Sequence, residues 1–304
     1  PISLLNTLGK VYEKVILNQL RSVVEEKNLL NDEQCGFRTR HSCVHQVHRL
    51  TEHILLGFNR FKTKGIPTGA YFFDVAKAFD KVWHAGLIYK LYHLGVPERL
   101  ERLLREFLTN RSFRYRLDGT LSSPRPLRAG VPLGSLLSPL LYALYTSDIP
   151  RSPHVHIAQF ADDTAHKAVS SLGHWFRLWS IEVNPEKRAA ELRQTEITLY
   201  DRPISWQTNT KYLGVTFDDK MSFTAHIRRV RKNAAYVLSQ LYPMICAKSK
   251  MSLRHKVTLY KTCIRPIMSY ACVSFAHLPP YSLMTDNALS LPPPPPHTHK
   301  TVPK

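Results

Sequence analysis

Apolar side chains recur at helical spacing in several stretches of the chain. Between positions 4 and 24 they fall at Leu4, Leu8, Val11, Val15, Leu20 and Val23. Side chains three or four residues apart share one face of a helix, so this spacing predicts an amphipathic helix. The same reasoning predicts further helices at about 42–58, 86–94, 97–109, 136–146, 171–180, 223–242 and 252–276.

Short apolar and aromatic runs between these helices predict strands. Residues 70–75 read as a buried strand. Residues 113–117 read as a strand that enters a hairpin turn at Asp118 and Gly119. Further strands are expected at 154–160, 164–169, 196–200 and 211–217. Because helices and strands do not alternate strictly, the predicted fold class is α+β.

Composition indicates a globular chain with an extended tail. The 304 residues are 43% apolar, enough for a sizeable core in one large domain or two. No run of 18 apolar residues occurs, so no membrane-spanning helix is expected. Five consecutive prolines at 292–296 predict a disordered tail. With no initiator Met, we expect the chain to begin inside a longer reading frame.

The charge of the chain predicts a polyanionic partner. Lys and Arg number 42 and Asp and Glu 23, so the net charge is 42 − 23 = +19. Nucleic acid is the first partner to consider, because neutralised phosphates release counterions. An anionic membrane surface is the rival, and it implies a protein without enzymatic activity.

A few acidic residues stand out on apolar strands of this basic chain. Asp162 and Asp163 lie between two predicted strands, and Asp74 ends another. Crowded carboxylates favour a cation between them, and their hard oxygens suit Mg²⁺. This pattern predicts metal-assisted phosphoryl or nucleotidyl transfer on nucleic acid. The alternative is an ordinary turn, which is how we interpret Asp218 and Asp219 before the next helix.

Several segments, in order, resemble the motifs of reverse transcriptases of non-LTR retrotransposons, specifically the jockey-like group. Residues 72–84 (FFDVAKAFDKVWH), 129–135 (AGVPLGS) and 160–163 (FADD) resemble the three palm motifs. Residues 35–38 and 45–50 resemble the fingers, 211–214 (KYLG) the primer grip, and 259–261 with 264–266 the thumb. The resemblance covers about positions 1–276 and implies an antiparallel palm sheet packed on helices, within a right-hand polymerase of fingers, palm and thumb.

The resemblance implies RNA-directed DNA polymerase activity with two Mg²⁺ ions, for which Mn²⁺ is a possible substitute. The implied partners are an RNA template, a DNA primer and deoxynucleoside triphosphates, without a membrane. Asp74 and Asp162 would ligate metal, Asp163 would support them, and the Val75 carbonyl could also reach an ion. The oligomeric state stays open. Nuclear and cytoplasmic localisation is inferred from the family alone.

The same resemblance assigns contacts to the incoming nucleotide. The candidates are Arg38, Lys77, Ala78, Phe79, Leu133 and Lys187. Phe79 would exclude a ribose 2′-hydroxyl, the Lys77 and Ala78 amides would bind the triphosphate, and Lys187 would protonate pyrophosphate. Core packing remains the alternative for Phe79, and a solvated surface charge is the alternative for Arg38 and Lys187.

Basic stretches with interleaved aromatics predict contacts with template and primer. In residues 111–116 the alternation would place the arginines, including Arg114 and Arg116, on one face of a strand. Arg228 and Arg231 belong to the basic helical run 226–232. A solvated face is the alternative for both stretches. Leu213 and Gly214 belong to the segment that resembles the primer grip.

Departures from the family pattern support a second interpretation. Leu133 stands where the family has Gln, and Ser138 replaces a glycine. The palm also looks shortened between 164 and 196, and the family's upstream endonuclease is missing. The expected domains are fingers and palm at 1–217, a thumb-like region at 218–278 and the disordered tail at 279–304. The alternative function is a catalytically inactive nucleic-acid-binding remnant.

Overall fold

The computed structural model describes residues 6–38, 41–64, 70–151, 157–160, 163–166, 170–183, 189–190, 198–199, 202–203 and 207–275. The chain divides into two compact units, residues 1–221 and 222–304. Within the described ranges, every helix is too short or too polar to cross a bilayer.

Six helices are described in the first unit. They are α1 (Thr7–Glu26), α2 (Cys43–Lys64), α3 (His84–His93), α4 (Glu98–Leu108), α5 (Ser138–Tyr145) and α6 (Ser170–Leu178). Helix α1 begins after Asn6, whose side-chain oxygen accepts a hydrogen bond from the Gly9 amide at 2.6 Å. Such an N-cap satisfies one of the amides that a helix start leaves without a partner. The predicted helices of this unit are therefore present, with shifts of a few residues at their ends.

The described strands are short and antiparallel. They are β1 (Tyr71–Asp74), β2 (Ser112–Phe113), β3 (Arg116–Leu117), β4 (Thr120–Leu121), β5 (Arg125–Pro126), β6 (Ala158–Phe160), β7 (Asp163–His166), β8 (Ala189–Ala190), β9 (Thr198–Leu199), β10 (Arg202–Pro203), β11 (Asn209–Tyr212) and β12 (Val215–Asp218). The main sheet has the order β6-β7-β1-β8, and the others are two-stranded. This mixture of helices and small antiparallel sheets confirms the α+β class.

Two of the predicted strands are divided in the structure. The expected strand at 113–117 becomes two pairs, β2 with β5 and β3 with β4, which leave Arg114 and Tyr115 outside the ladders. Since residues 114–121 are all exposed, no buried face maintains one continuous register. The expected strand at 211–217 is the hairpin β11–β12, because Leu213 and Gly214 both adopt positive φ, of 44° and 81°. Two such residues form the tight turn that joins antiparallel strands.

The core of the first unit is built around α5. Every residue of α5 except Pro139 is buried, because the helix is apolar on all sides. Leu17 and Leu20 of α1, Leu87 and Leu91 of α3, and Leu104 of α4 belong to the same cluster. Phe73 of β1 joins this core and packs edge-on against Phe176 of α6, with ring centroids 6.0 Å apart. The strand that ends in Asp74 is thereby fixed to the helices.

The second unit is helical and strongly basic. It contains α7 (Thr224–Ile245), α8 (Leu253–Leu259), a π-helical turn (Tyr260–Ile264), α9 (Arg265–Ser269) and a 3-10 turn (Cys272–Phe275). The helical stretch expected at 252–276 is present from Leu253 to Ser269, and it ends before Ala271, which has a positive φ of 54°. Pro266 has no amide to donate to the preceding turn, which explains the change to π-helical geometry just before it.

Candidate active site

Two of the three acidic positions singled out in the sequence meet in the main sheet. Asp74 is the last residue of β1 and pairs directly with Asp163, the first residue of β7. Residues paired in this way have Cα atoms about 4.5–5.5 Å apart. Phe160 of β6 also pairs with Asp163, so Ala161 and Asp162 connect β6 to β7. Asp162 itself lies outside the described residues, as does the side chain of Asp163.

The donor chemistry at this position suits a hard cation. Asp74 is partly buried, and a second carboxylate residue stands opposite it in the register. Like charges this close disfavour each other unless a cation separates them. Among the side chains that the structure describes, no three His, Cys, Asp or Glu residues group as a metal site. Asp74 is therefore the one acidic side chain described at this position, and the pairing of β1 with β7 places residue Asp163 opposite it.

The chain beyond Asp74 is braced by residues 181–183. Val75 forms an antiparallel bridge with Val183, and the Ala76 amide donates to the Glu182 carbonyl at 2.8 Å. The side chain of Glu182 also forms an ion pair with Lys81. These contacts hold the end of β1 from the side opposite β7.

A tight turn with its own local hydrogen bonds follows. Lys77 is exposed and adopts a left-handed conformation with φ of 53°. Its carbonyl accepts hydrogen bonds from the Asp80 and Lys81 amides at 2.9 and 3.1 Å. Ala78, by contrast, is buried. No described contact assigns either residue to a triphosphate, so that role stays a prediction.

Phe79 lies between two aromatic rings that come from distant parts of the chain. Its centroid is 6.2 Å from that of Phe37 and 5.2 Å from that of Tyr142 in α5. The side chain is only partly buried. The ring is thus fixed on two sides and retains an accessible side, which is compatible with both packing and a role toward ligand.

The second motif is attached to the first by its main chain. The amides of Gly130 and Val131 each donate at 2.8 Å, to the carbonyls of Val82 and Phe79 respectively. Gly130 has φ of +91°, and a Cβ atom there would lie 2.7 Å from the Asp80 carbonyl oxygen. Leu133 follows in the loop with 40% of its surface exposed.

Two nucleotide-contact candidates are not brought to this centre by described contacts. The Arg38 guanidinium donates to the Asn31 carbonyl at 3.0 Å and pairs with the Asp32 carboxylate at 3.4 Å. A phosphate contact by Arg38 would have to compete with these local partners. Lys187 lies outside the described residues.

The template and primer candidates are mostly accessible. Arg114 and Arg116 are exposed, and Leu213 and Gly214 form the turn of the β11–β12 hairpin. In the second unit, Arg228 is exposed and Arg231 is half-buried, three residues apart on α7 and hence on one face.

One residue of the basic run 226–232 does not belong to a solvated face. His226 is 1% exposed and packs against the Phe275 ring at 5.4 Å. Burial, together with the nearby charge of Arg229, lowers the pKa of His226 to about 4. This imidazole is therefore neutral near pH 7 and contributes packing to the second unit.

Three buried polar side chains near these segments were not identified from the sequence. The Gln46 amide donates to the carbonyls of Glu33 and Gln159 at 3.0 and 3.1 Å, and its oxygen accepts from the Cys35 thiol at 3.0 Å. Gln46 thus joins α2 to β6, close to the acidic hairpin. A polar residue within an apolar helical stripe is the signal that could have revealed both Gln46 and Glu13.

Lys90 is the third, and it is enclosed by aromatic rings. Its ammonium group is 3.6 Å from the Trp179 ring centroid and donates to the Asp148 carboxylate at 2.5 Å. Burial is the main cause that lowers the pKa of Lys90 to about 8, against the opposing effect of Asp148. The cluster fastens α3 to the end of α6.

Comparison with known proteins identifies relatives along most of the chain. The chain is 35% identical over 301 residues to the Probable RNA-directed DNA polymerase from transposon BS of Drosophila melanogaster, covering 89% of this chain and 33% of that protein. It is 33% identical over 299 residues to the RNA-directed DNA polymerase from mobile element jockey of the same species, covering 89% and 32%. The chain therefore spans about a third of the length of these curated relatives.

Structural similarity is looser. A telomerase structure from Candida albicans, in complex with a fragment of telomeric RNA, aligns with a TM-score of 0.46 at 10% identity. The alignment covers 88% of this chain and 52% of that one.

The model of the reverse transcriptase (RNA-dependent DNA polymerase) family matches residues 1–217. With its motifs in order and that match over more than two thirds of its length, the chain belongs to the reverse transcriptase family.

Proposed function

We propose that this chain carries out RNA-templated DNA synthesis for a jockey-like non-LTR retrotransposon. In this reaction a primer 3′-hydroxyl attacks a deoxynucleoside triphosphate and releases pyrophosphate. The observation that carries the proposal is the pairing of Asp74 with Asp163 in a family whose motifs these residues occupy. Positioning and electrostatics dominate this chemistry, so what matters is how the chain holds its charges.

The proposed architecture assigns fingers and palm to 1–217 and a thumb to 218–278. The main sheet would be the palm, with α5 and α6 packed behind it. Residues 35–50, linked to β6 through Gln46, would belong to the fingers. Helix α7 and the segments that follow would form the thumb.

For the metal site we propose Asp74, Asp162 and Asp163, with the Val75 carbonyl as a further donor. Two Mg²⁺ ions bound there would activate the attacking hydroxyl and stabilise the leaving oxygen. The chain's own contribution is to keep these oxygens close and correctly oriented. Hydrogen bonding of the Ala76 amide to Glu182 serves that purpose at the end of β1.

The incoming nucleotide would bind beside the turn that follows β1. Phe79 would exclude the 2′-hydroxyl, since its ring is held by Phe37 and Tyr142 and cannot easily retreat. The amides of Lys77 and Ala78 would face the triphosphate, with Arg38 and Lys187 supplying positive charge. Leu133 would line the base pair on the other side.

Template and primer would lie along the basic surfaces. Residues 222–275 contain ten Lys and Arg residues and no Asp or Glu: Arg228, Arg229, Arg231, Lys232, Lys248, Lys250, Arg254, Lys256, Lys261 and Arg265. Phosphate contacts of this kind position a duplex without reading its sequence. The hairpins that carry Arg114, Arg116, Leu213 and Gly214 would add contacts in the first unit. An element of this type would act in the nucleus, after synthesis in the cytoplasm.

Primer extension on poly(rA)/oligo(dT) with Mg²⁺ tests the proposal. Asp74→Asn and Asp162→Asn should each lower the rate about 10³-fold, since a metal ion supplies several kcal/mol of charge stabilisation. The matched control is Asp219→Asn, which removes an exposed acid from the other Asp-Asp pair and should keep the activity. Equal activity of Asp74→Asn and wild type would overturn the proposal.

A second candidate function is nucleic-acid binding without catalysis. It is favoured by Leu133, whose exposed apolar side chain replaces the polar Gln of the family's second motif. This candidate predicts RNA binding that weakens steeply with salt, with no extended primer. Primer extension by the wild-type chain above the Asp162→Asn background would exclude this candidate. A gain of activity in Leu133→Gln would attribute the inactivity of the wild type to this position.

A further inference from the structure

Glu13 is a charged residue inside the core. It lies on the face of α1 that also buries Ile16, Leu17 and Leu20, and only 3% of its surface is exposed. A carboxylate in such surroundings is costly unless hydrogen bonds or an opposite charge compensate it. Its contacts therefore indicate what the residue does.

Both carboxylate oxygens of Glu13 bind one loop, more than 120 residues along the chain. The Ser135 hydroxyl donates to Oε1 at 2.6 Å, and the Leu136 amide donates to Oε2 at 3.0 Å. Hydrogen bonds to an ionised acceptor are shorter and stronger than neutral ones. The Glu13 side chain thus binds both a side chain and a main-chain amide of the loop.

Arg111, at the start of the basic hairpin, supplies an opposite charge. Burial lowers the pKa of Arg111, and the negative charge of Glu13 partly offsets that decrease.

The loop held by Glu13 is the second motif. At its beginning, the Val131 amide is bound to the Phe79 carbonyl. At its end, the Ser138 hydroxyl donates to the Pro132 carbonyl at 2.8 Å. The loop is thus attached to Phe79 through Val131 and to Glu13 through Ser135 and Leu136. Leu133 lies between these two attachments and is exposed.

We propose that Glu13 is a positioning residue that sets the second-motif loop, and with it Leu133, relative to Phe79. The inference rests on the proposed function for its kinetic consequence. Its structural consequence does not, because Glu13 restrains the loop whether or not the chain is active. Loss of Glu13 would leave the chemistry of the acidic residues intact while loosening the site for the incoming nucleotide.

Two measurements on the full chain test this inference. In Glu13→Ala, the KM for deoxynucleoside triphosphate should rise about tenfold with kcat nearly unchanged, as expected when binding geometry alone is lost. Hydrogen exchange of peptides covering 132–137 should accelerate about tenfold or more, because the Leu136 amide loses its acceptor. Glu13→Gln should restore both within about threefold, since its amide oxygen can accept from Leu136.

The matched control is Glu101→Ala. Glu101 is likewise buried, at 8% exposure, but it pairs with Arg105 one turn along its own helix at 2.7 Å. Its loss should leave exchange at 132–137 and the KM unchanged. If Glu13→Ala does not fold, Ser135→Ala removes one of the two contacts, and a smaller acceleration confined to 132–136 is expected. The Leu137 amide is left out of this comparison, because it donates to the Ser135 hydroxyl at 3.1 Å and loses that acceptor directly.

Three results would overturn the inference. They are unchanged exchange at 132–137 in a folded Glu13→Ala or Ser135→Ala, the same uniform acceleration in Glu13→Ala and Glu101→Ala, and a loss of kcat with constant KM. An inactive wild type would refute the proposed function instead, and the exchange data would still decide whether Glu13 holds the loop.

Discussion

Gly130 links the second motif to the first, and replacing it with alanine should destabilise the first unit. Its φ of +91° belongs to a region that L side chains rarely adopt. A Cβ atom there would lie 2.7 Å from the Asp80 carbonyl oxygen and 3.0 Å from its carbon. These are main-chain atoms, which cannot rotate away as a side chain can.

The size of the effect follows from three contributions. A left-handed conformation costs an L residue about 1–2 kcal/mol. Forcing atoms into a packed position costs about 1–3 kcal/mol. Alanine returns about 0.4–1 kcal/mol by restricting the unfolded chain. We therefore expect Gly130→Ala to lower the free energy of unfolding by about 3 kcal/mol, within the sum of these ranges.

Gly119→Ala is the matched control. Gly119 has a similar φ of +84°, but no atom would lie within 4 Å of its Cβ. Gly119→Ala therefore has the conformational cost but no steric contact, and the free energy of unfolding should fall by about 1 kcal/mol or less. Urea unfolding followed by circular dichroism measures both variants. Equal losses for the two glycines would refute the close approach of Gly130 to Asp80.

Three further outcomes concern buried polar groups. The pKa of Lys90 falls from 10.5 to about 8 on folding, so the unfolded chain binds more protons between these values. The free energy of unfolding should therefore rise by about 3 kcal/mol as pH increases from about 8 to 10.5. Lys90→Met should abolish this pH dependence, which urea unfolding at several pH values measures. The pKa of His226 falls from 6.5 to about 4, so stability of the second unit should drop by about 3 kcal/mol as pH decreases through that interval. His226→Phe should remove this drop in thermal unfolding at pH 7 and pH 4. Gln46→Met removes three hydrogen bonds, those to the Glu33 and Gln159 carbonyls and the one from the Cys35 thiol, although the two carbonyls keep the Gln159 and Cys35 amides as donors. It should cost about 1–3 kcal/mol in urea unfolding.

Local patterns predicted the helices of the first unit well, because each carries its own apolar stripe. They failed where a break depends on a single residue. Leu213 and Gly214 turn the expected strand into a hairpin, and the final helical stretch changes to a π-helical turn just before Pro266. Periodicity over ten or more residues averages over such positions, whereas the main chain responds to each of them.

In the candidate site, too, some features could be predicted from the sequence and others could not. Asp74 could be selected from the sequence, because an acid at the end of an apolar strand stands out. Asp218 was interpreted as part of a turn, and its carboxylate indeed accepts from the Lys220 amide at 3.2 Å. The basic run 226–232 is predicted from its charge to contact a duplex backbone, yet its first residue, His226, is buried, since seven residues span two turns of a helix and cannot share one side.

The sequence by itself determined the family, the order of its motifs, the helical segments and the excess of positive charge. These are properties of residue types and their local spacing. Only the tertiary structure decided that Asp74 lies opposite Asp163, that Gly130 packs on Asp80, and that Glu13 binds Ser135 and Leu136. Such contacts join residues from 50 to more than 120 positions apart. Strand register and core packing select them from many possibilities, and no local pattern encodes that choice.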